Sequence, residues 1–122
     1  MSALLLLAVS IACAEPVAKD GDDVICAGAD LRIEGVNARE LDGSCRAAAP
    51  CGEMDGERSR AALDRLVAGG FSYTVRYRDP YGRAVIEGRL ADGRDLACAL
   101  IASGAAVRWD RYWPRGKSCA GG

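Results

Sequence analysis

Residues 17–36, VAKDGDDVICAGADLRIEGV, alternate short apolar runs with turn sequences. The three runs are residues 17–19, 24–27 and 31–36, and the first turn is the acidic sequence DGDD at residues 20–23. Aspartate–glycine pairs between short apolar runs are typical of strands joined by tight turns. This stretch therefore predicts three consecutive strands.

The remainder of the chain predicts one long helix, two strands and a short helix. Residues 54–68 carry apolar side chains at helical spacing, and the apolar period changes to two in residues 71–78 and 84–90. Residues 96–102 predict the short helix. The order βββ-α-ββ-α is mainly β with α. It predicts a five-stranded Greek-key barrel of the OB-fold type, with one helix between strands 3 and 4 and a second after strand 5.

The first fourteen residues are uncharged, contain four consecutive leucines and end in the sequence ACA. A small-x-small ending after an apolar run is typical of a secretory signal peptide, and the run is shorter than the about 20 residues that a membrane-spanning helix needs. We therefore predict a signal peptide at residues 1–14 and one domain at residues 15–122. The protein is expected to be secreted or periplasmic, without stable membrane insertion after cleavage.

Six cysteines in a chain of 122 residues indicate an oxidising compartment. Five would remain after cleavage behind Ala14, an odd number that leaves at least one unpaired or paired elsewhere. Cys45 and Cys51 flank a short loop rich in alanine, and we predict a disulfide between them. The alternative, a zinc site, has an unsuitable cysteine spacing and no histidine to complete it.

The chain contains no histidine, which excludes several classes of hydrolase. Ser-His-Asp and Cys-His enzymes, H-E-x-x-H metalloproteases and two-histidine ribonucleases all need an imidazole. The formal net charge of −1 excludes a protein that holds nucleic acid through a strongly basic surface. Arginine greatly outnumbers lysine, however, and guanidinium groups fit phosphates in a bidentate manner. A local basic cleft is therefore still compatible with the composition.

Three stretches carry the candidate chemistry: DGDD at residues 20–23, RIEGVNARE at residues 32–40 and DPYGR at residues 79–83. Together they supply oxygen ligands for a hard cation, a carboxylate that can act on water, and two guanidinium groups that can hold a phosphate. Their order and spacing resemble the thermonuclease (staphylococcal-nuclease-like) family, whose usual text is D-G-D-T, R-x-x-G-I-D-A-P-E and D-x-Y-G-R. The resemblance implies an OB-fold nuclease that hydrolyses phosphodiester bonds of DNA or RNA with Ca²⁺.

By this resemblance, the metal ligands are Asp22, Asn37 and the backbone carbonyl of Ala38. Asn37 stands where the family has an aspartate, so calcium is expected to bind more weakly. Asp23 stands where the family has threonine and would restore the charge if its side chain reached the ion.

The resemblance assigns the catalytic roles to Arg32, Glu40 and Arg83. Glu40 matches the carboxylate that positions or deprotonates the attacking water. Arg32 and Arg83 match the paired arginines that bind the scissile phosphate and stabilise the transition state. Arg39 replaces the family's proline, and the loss of that rigid residue is expected to add slack to the segment that carries Glu40.

Aromatic residues near the site predict the substrate contacts. Tyr81, Trp109 and Tyr112 are candidates for stacking on bases, as aromatic side chains do in barrels that bind single strands. For Trp109 and its neighbour Trp113, packing in the core or under the C-terminal tail is the alternative. The protein is expected to act as a monomer.

Two other functions remain open from the sequence. One is a catalytically degenerate OB-fold module that binds nucleic acid or another partner without cleaving it. The other is a disulfide-stabilised structural domain. Convergence of Arg32, Glu40 and Arg83 on one cleft beside Asp22 would favour the enzyme.

Overall fold

A computed structural model describes residues 9–46 and 48–119 of the protein. The described chain is mainly β with two helices. The elements along the described chain are β1 (Ile11–Cys13), β2 (Val17–Asp20), β3 (Asp23–Cys26), β4 (Ala29–Ile33), β5 (Val36–Asn37), α1 (Gly56–Val67), β6 (Phe71–Arg78), β7 (Ala84–Leu90), α2 (Leu96–Ser103) and β8 (Val107–Arg108).

Six of these strands form one curled mixed sheet in the order β1-β6-β7-β4-β3-β2. All neighbours in it are antiparallel except β4 and β7, which run parallel with Arg32 opposite Val85. The other two strands, β5 and β8, pair with each other in a small antiparallel sheet. The result is a half-barrel that brings the turns after β2 and before β7 close to the segment after β4.

The five strands and two helices predicted from the sequence are present, and three short strands are additional. The predicted third strand, residues 31–36, is divided, because the chain turns at Glu34 and Gly35. Gly35 has a φ of +82°, a backbone conformation that favours glycine. The strand therefore ends at Ile33, and Val36 and Asn37 beyond the turn pair with β8 instead. The architecture is barrel-like, with more strands than the five expected.

The predicted signal peptide falls partly outside the described residues, since residues 1–8 are not described. Its last part forms β1, which pairs with β6 through Cys13 opposite Phe71. Cys13 is 2% exposed and forms a disulfide with Cys26. Cleavage after Ala14 would therefore remove a strand of the sheet and the partner of Cys26.

The predicted disulfide between Cys45 and Cys51 is confirmed. Cys98 and Cys119 form another, and with the pair in β1 and β3 all six cysteines are bonded. The expectation of an odd, unpaired cysteine is wrong for the full chain, because it discarded Cys13 with the signal peptide. Three disulfides are typical of proteins that fold in an oxidising compartment. Among the described residues, neither helix has the length and apolar character that crossing a bilayer requires.

Helix α1 packs against both acidic stretches of the candidate site. Asp55 caps its first turn by accepting a hydrogen bond from the backbone N–H of Arg58. At the helix start, a Cβ on Gly56 would overlap the carbonyl of Glu40. A Cβ on Gly21 would lie 2.6 Å from the Cβ atoms of both Ala38 and Ser59. These close approaches explain the two glycines and hold the DGDD turn and the Glu40 segment on one helix.

Candidate functional site

One cavity of about 360 Å³ gathers five of the predicted site residues, namely Arg32, Arg83, Tyr81, Trp109 and Tyr112. Its wall also contains Arg111, a candidate for phosphate contacts from the sequence, and three polar residues that had no predicted role, Glu34, Arg46 and Tyr77. The predicted residues Asp22, Asn37, Ala38 and Glu40 do not line it. Two of them adjoin the cavity through contacts with lining arginines, as described below.

Arg32 is buried, and its donors are largely used inside the protein. Its Nη1 donates to the carbonyls of Asp22 and Ile33 at 3.0 Å each, and its Nη2 donates to the carbonyl of Val36 at 2.7 Å. The same Nη2 lies 3.6 Å from Oδ2 of Asp22. Arg32 therefore joins the DGDD turn to the bend after β4 and offers little free donor capacity to a ligand.

Arg83 follows the turn between β6 and β7 and is held by two carboxylates. Its Nε lies 2.7 Å from Oδ2 of Asp79, and its Nη1 lies 2.9 Å from Oδ2 of Asp23. Despite partial burial, these carboxylates raise the pKa of Arg83, which stays protonated. The guanidinium group is fixed in orientation, and Nη2 makes no hydrogen bond among the described residues. The guanidinium carbon Cζ of Arg83 is 5.8 Å from the centre of the Tyr81 ring.

Asp23 points toward Arg83 and Asp30 in neighbouring parts of the sheet. It is 1% exposed, and burial together with a hydrogen bond to Asp30 raises the pKa of Asp23 to about 8. The interaction with Asp23 lowers the pKa of Asp30, whose Oδ2 accepts a 2.9 Å hydrogen bond from Nζ of Lys19. The protonation of the two carboxyl groups is therefore linked, with the proton favoured on Asp23. Asp23 is committed to this network, so it does not supply the full charge that the Asn37 substitution removes.

Asp22 is buried at the turn between β2 and β3. Its Oδ2 accepts a 2.8 Å hydrogen bond from the backbone N–H of Ala38, and its own N–H donates to Oδ1 of Asp20. Burial and the proximity of Asp22 raise the pKa of Asp20 to about 7. The structure therefore brings Asp22 into contact with the backbone N–H of Ala38, whereas the resemblance assigned the carbonyl of Ala38 to a metal ion.

Asn37 is completely buried, and only one end of its amide has a partner. Nδ2 donates to the carbonyl of Pro50 at 2.8 Å, whereas Oδ1 has no hydrogen-bond partner. An unpartnered buried acceptor is rare in folded proteins. This oxygen is chemically suited to a cation or a water molecule.

The oxygen donors that the resemblance assigns suit a hard cation in their chemistry, and they contain too few carboxylates to hold it tightly. Within the described residues, no group of three or more acidic or cysteine side chains is placed to hold a metal ion. The resemblance offers one carboxylate at Asp22, one amide oxygen at Asn37 and one backbone carbonyl at Ala38. Calcium takes about six to eight oxygen ligands, so water would have to fill most positions.

Glu40 lies at the start of the loop closed by Cys45 and Cys51. Its side chain is 39% exposed, and its Oε1 is 3.9 Å from Nη2 of Arg46. Its backbone is fixed at both ends, because its N–H donates to the carbonyl of Ser44 and its carbonyl accepts from the N–H of Gly43. Glu40 therefore adjoins the cavity through Arg46.

Arg39 does not leave the Glu40 segment slack, contrary to the expectation from the sequence. Its Nε donates to the carbonyl of Gly52 at 2.7 Å, and its Nη1 donates to the carbonyl of Gly43 at 2.9 Å. The side chain spans the loop and ties its two ends together. A guanidinium group thus replaces the conformational restraint of the family's proline with two hydrogen bonds.

The predicted aromatic residues differ in their exposure. Tyr81 is 83% exposed and Tyr112 is 42% exposed, as expected for groups that can contact a ligand. Trp109 packs edge-on against Tyr112, with ring centres 4.8 Å apart. The backbone N–H of Trp109 donates to the carbonyl of Gly35. Trp113 is buried, which agrees with the alternative of packing under the tail.

Arg46 and Tyr77 are lining residues that sequence reasoning missed as site residues. Arg46 lies between Cys45 and Cys51. Their spacing predicted a loop closed by a disulfide, but not the direction in which the side chains of that loop point. Tyr77 belongs to the alternating strand β6, where a register shift after Val75 changes which side chains share a face. Neither placement follows from residue spacing alone.

No protein-family model matches the chain, and no curated protein matches it.

Proposed function

We propose that this protein is a phosphodiesterase that cleaves DNA or RNA, with the OB-fold type of barrel and the site arrangement of the thermonuclease family that its motifs resemble. The observation that carries the proposal is the cavity lined by Arg32, Arg83, Tyr81, Trp109 and Tyr112. Cations and exposed aromatic rings in one wall suit a ligand with phosphates and bases. A carboxylate for proton transfer, Glu40, adjoins it.

In this reaction Arg83 binds the scissile phosphate through its free Nη2 edge. The carboxylates of Asp79 and Asp23 hold the guanidinium group in place, so little reorganisation is needed as negative charge develops. Arg32 acts mainly through the backbone, because it fixes the bend that carries Glu34 and Gly35 in the cavity wall. Its positive charge still contributes at short range.

Glu40 takes a proton from water as the water oxygen attacks phosphorus. The P–O bond to the 5′ oxygen breaks, the leaving oxygen receives a proton from solvent, and the product strand keeps a 3′ phosphate, as the family resemblance implies. General base catalysis of this kind typically contributes about 10²- to 10⁴-fold. Partial exposure gives Glu40 access to that water.

A divalent cation, Ca²⁺ by resemblance, would be held by Asp22, Asn37 and the carbonyl of Ala38. When bound there it polarises the phosphate and offsets its charge. The orphaned Oδ1 of Asn37 supports this placement, and the single carboxylate makes the affinity low.

A binding module without catalysis is the second candidate function. It is favoured by the engagement of Arg32 with three backbone carbonyls and by the loss of a carboxylate at Asn37. Such a protein would use the same cavity and aromatic residues to hold a nucleic-acid strand or another partner.

Cleavage of a labelled single-stranded DNA by the purified protein, with Ca²⁺ and with chelator, separates the two. We expect cleavage only with the cation, and Arg83→Lys should lower the rate by about tenfold or more because lysine lacks the planar fork. Arg94→Lys is the matched control, since Arg94 also follows a turn glycine and pairs with an aspartate, 2.9 Å from Asp92, but lies on the surface away from the cavity. A wild type that binds the strand and never cleaves it would establish the binding module.

A further inference from the structure

Arg46 is the least engaged guanidinium group beside Glu40. Its side chain is 42% exposed and lines the cavity, and its only charged contact among the described residues is the 3.9 Å pair with Glu40. Arg32 is bound to backbone carbonyls, and Arg83 has two of its nitrogens on carboxylates. Of these three arginines, Arg46 has the most donor capacity for a ligand.

We propose that Arg46 is a phosphate-binding residue of this site, supplying the second guanidinium contact that Arg32 is too engaged to make. The inference rests on the proposed function, since it assigns a further residue to the same substrate. Exposed ion pairs at such distances contribute little to stability, so a phosphate displaces Glu40 from Arg46 at small cost. A guanidinium group then holds the phosphate with two parallel hydrogen bonds.

The loop that carries Arg46 presents it from a fixed backbone. The disulfide between Cys45 and Cys51 closes the loop, and the carbonyl of Arg46 accepts a hydrogen bond from the N–H of Ala49. Arg39 bridges the loop ends at Gly43 and Gly52. The backbone of Arg46 is thereby held while its side chain remains exposed, an arrangement that limits the ordering needed on binding.

The position of Arg46 also explains why it, rather than Arg111, completes the site. Arg111 lines the cavity as well, but its guanidinium lies 5.5 Å from the centre of the Tyr112 ring, on the C-terminal side. Arg46 is next to the carboxylate that acts on water. A phosphate placed for attack beside Glu40 is therefore within reach of Arg46, and the same phosphate draws Arg46 away from that carboxylate.

The test is the affinity for a fluorescently labelled single-stranded oligonucleotide across a series of salt concentrations, measured by anisotropy. Arg46→Ala should raise Kd by about tenfold, the loss of one charged hydrogen-bonded contact. It should also reduce the slope of log K against log salt by about 0.7, the value for one phosphate contact on a single strand. Arg46→Lys should keep the slope but not the full affinity. Arg94→Ala should match the wild type.

An unchanged Kd and salt slope in Arg46→Ala, or full affinity in Arg46→Lys, would overturn the assignment. Melting temperatures of all variants confirm that the exposed loop substitution leaves the fold intact. If the wild type binds and cleaves while Arg46→Ala is normal, only this inference fails. If the wild type binds without cleaving, hydrolysis fails and Arg46 is judged on affinity. A wild type that neither binds nor cleaves rejects both.

Discussion

Two walls of the cavity are each closed by a disulfide, yet they are attached to the rest of the protein in different ways. The loop wall, residues 41–46 and 48–52, is attached through backbone groups. Its Pro50 carbonyl accepts from Asn37, and its Gly43 and Gly52 carbonyls accept from Arg39. Through these bonds the loop wall fixes the segment that carries Glu40.

The C-terminal wall, residues 107–119, pairs with β5 through the backbone of β8 and is otherwise attached mainly through side chains. Trp113 has the guanidinium of Arg108 4.8 Å and the ammonium of Lys117 5.2 Å from its ring centre. Lys117 also pairs with Asp95 at 2.9 Å and with Glu87 at 3.4 Å. This wall places Trp109 and Tyr112 at the cavity. Under the two proposals, the loop wall therefore positions Glu40 and the phosphate-binding Arg46, whereas the C-terminal wall supplies the aromatic contacts with the ligand.

The largest expected effect is that of Glu40→Gln on the residue that the loop wall holds. Glutamine keeps the size and hydrogen-bonding capacity of the side chain but cannot accept the proton from water. Turnover should fall by about 10²-fold or more with little change in affinity. Single-turnover cleavage of a labelled strand, together with its Kd, measures both. An equal cleavage rate would locate the base elsewhere and break the link between the loop wall and catalysis.

Removing each disulfide separately tests the division of labour between the walls. The paired substitution Cys45→Ser with Cys51→Ser should lower single-turnover cleavage at saturation by roughly tenfold, because it loosens the Glu40 segment, and should also weaken binding through Arg46. Cys98→Ser with Cys119→Ser should weaken binding and leave single-turnover cleavage at saturation nearly normal.

Stability should follow the lengths of the closed loops. The two bonds span sequence separations of 6 and 21. On the chain-entropy account these correspond to about 2 and about 3 kcal/mol, so the C-terminal pair should lower the melting temperature more. Equal effects of both pairs on turnover and affinity would contradict the comparison.

The same contrast explains what the sequence could predict. Periodicity located the five long strands and both helices, because alternation and helical spacing reflect burial. The short strands β5 and β8 pair through only two residues each, and nothing in Val36 or Val107 indicates a partner so distant in sequence. Local patterns do not report such pairings.

For the site, the motifs grouped residues without indicating what each one contacts. Arg83, Tyr81 and Arg32 share the cavity, whereas Glu40, which the motifs group with them, does not line it. The engagement of Arg32 with backbone carbonyls depends on the bend at Gly35, and the anchoring of Arg39 depends on a loop whose course the sequence does not specify. Side-chain hydrogen bonds of this kind follow from tertiary structure, so they lie beyond residue spacing.

Asn37→Asp tests the contact between the loop wall and the predicted cation site. Without a cation, a carboxylate facing the Pro50 carbonyl loses the Nδ2 hydrogen bond, which should destabilise the fold by about 1–3 kcal/mol. With Ca²⁺ the added charge should strengthen ion binding, so the cation should raise the melting temperature of the variant more than that of the wild type. Thermal melts with Ca²⁺ and with chelator measure this. An equal response in both proteins would show that Asn37 is not at the ion.

The smallest expected effect concerns Glu34, beside the Gly35 carbonyl on which the C-terminal wall rests. Burial raises the pKa of Glu34 above its usual 4.5, and Arg76, 3.2 Å away, offsets this only in part. The nearby Glu87 raises it further and Lys117 lowers it. Above pH 4.5 the folded protein therefore keeps a proton that the unfolded chain has lost, and the contribution of Glu34 to stability falls as pH rises toward its folded pKa.

Glutamine does not titrate, so Glu34→Gln should make the decline of melting temperature with rising pH shallower than in the wild type. Glu57→Gln, on the exposed face of α1, is the control and should leave the profile unchanged. Parallel profiles for wild type and Glu34→Gln would mean that this carboxylate titrates as it does in the unfolded chain. The turn at Glu34 and Gly35 would then make the stability of the protein no more dependent on pH.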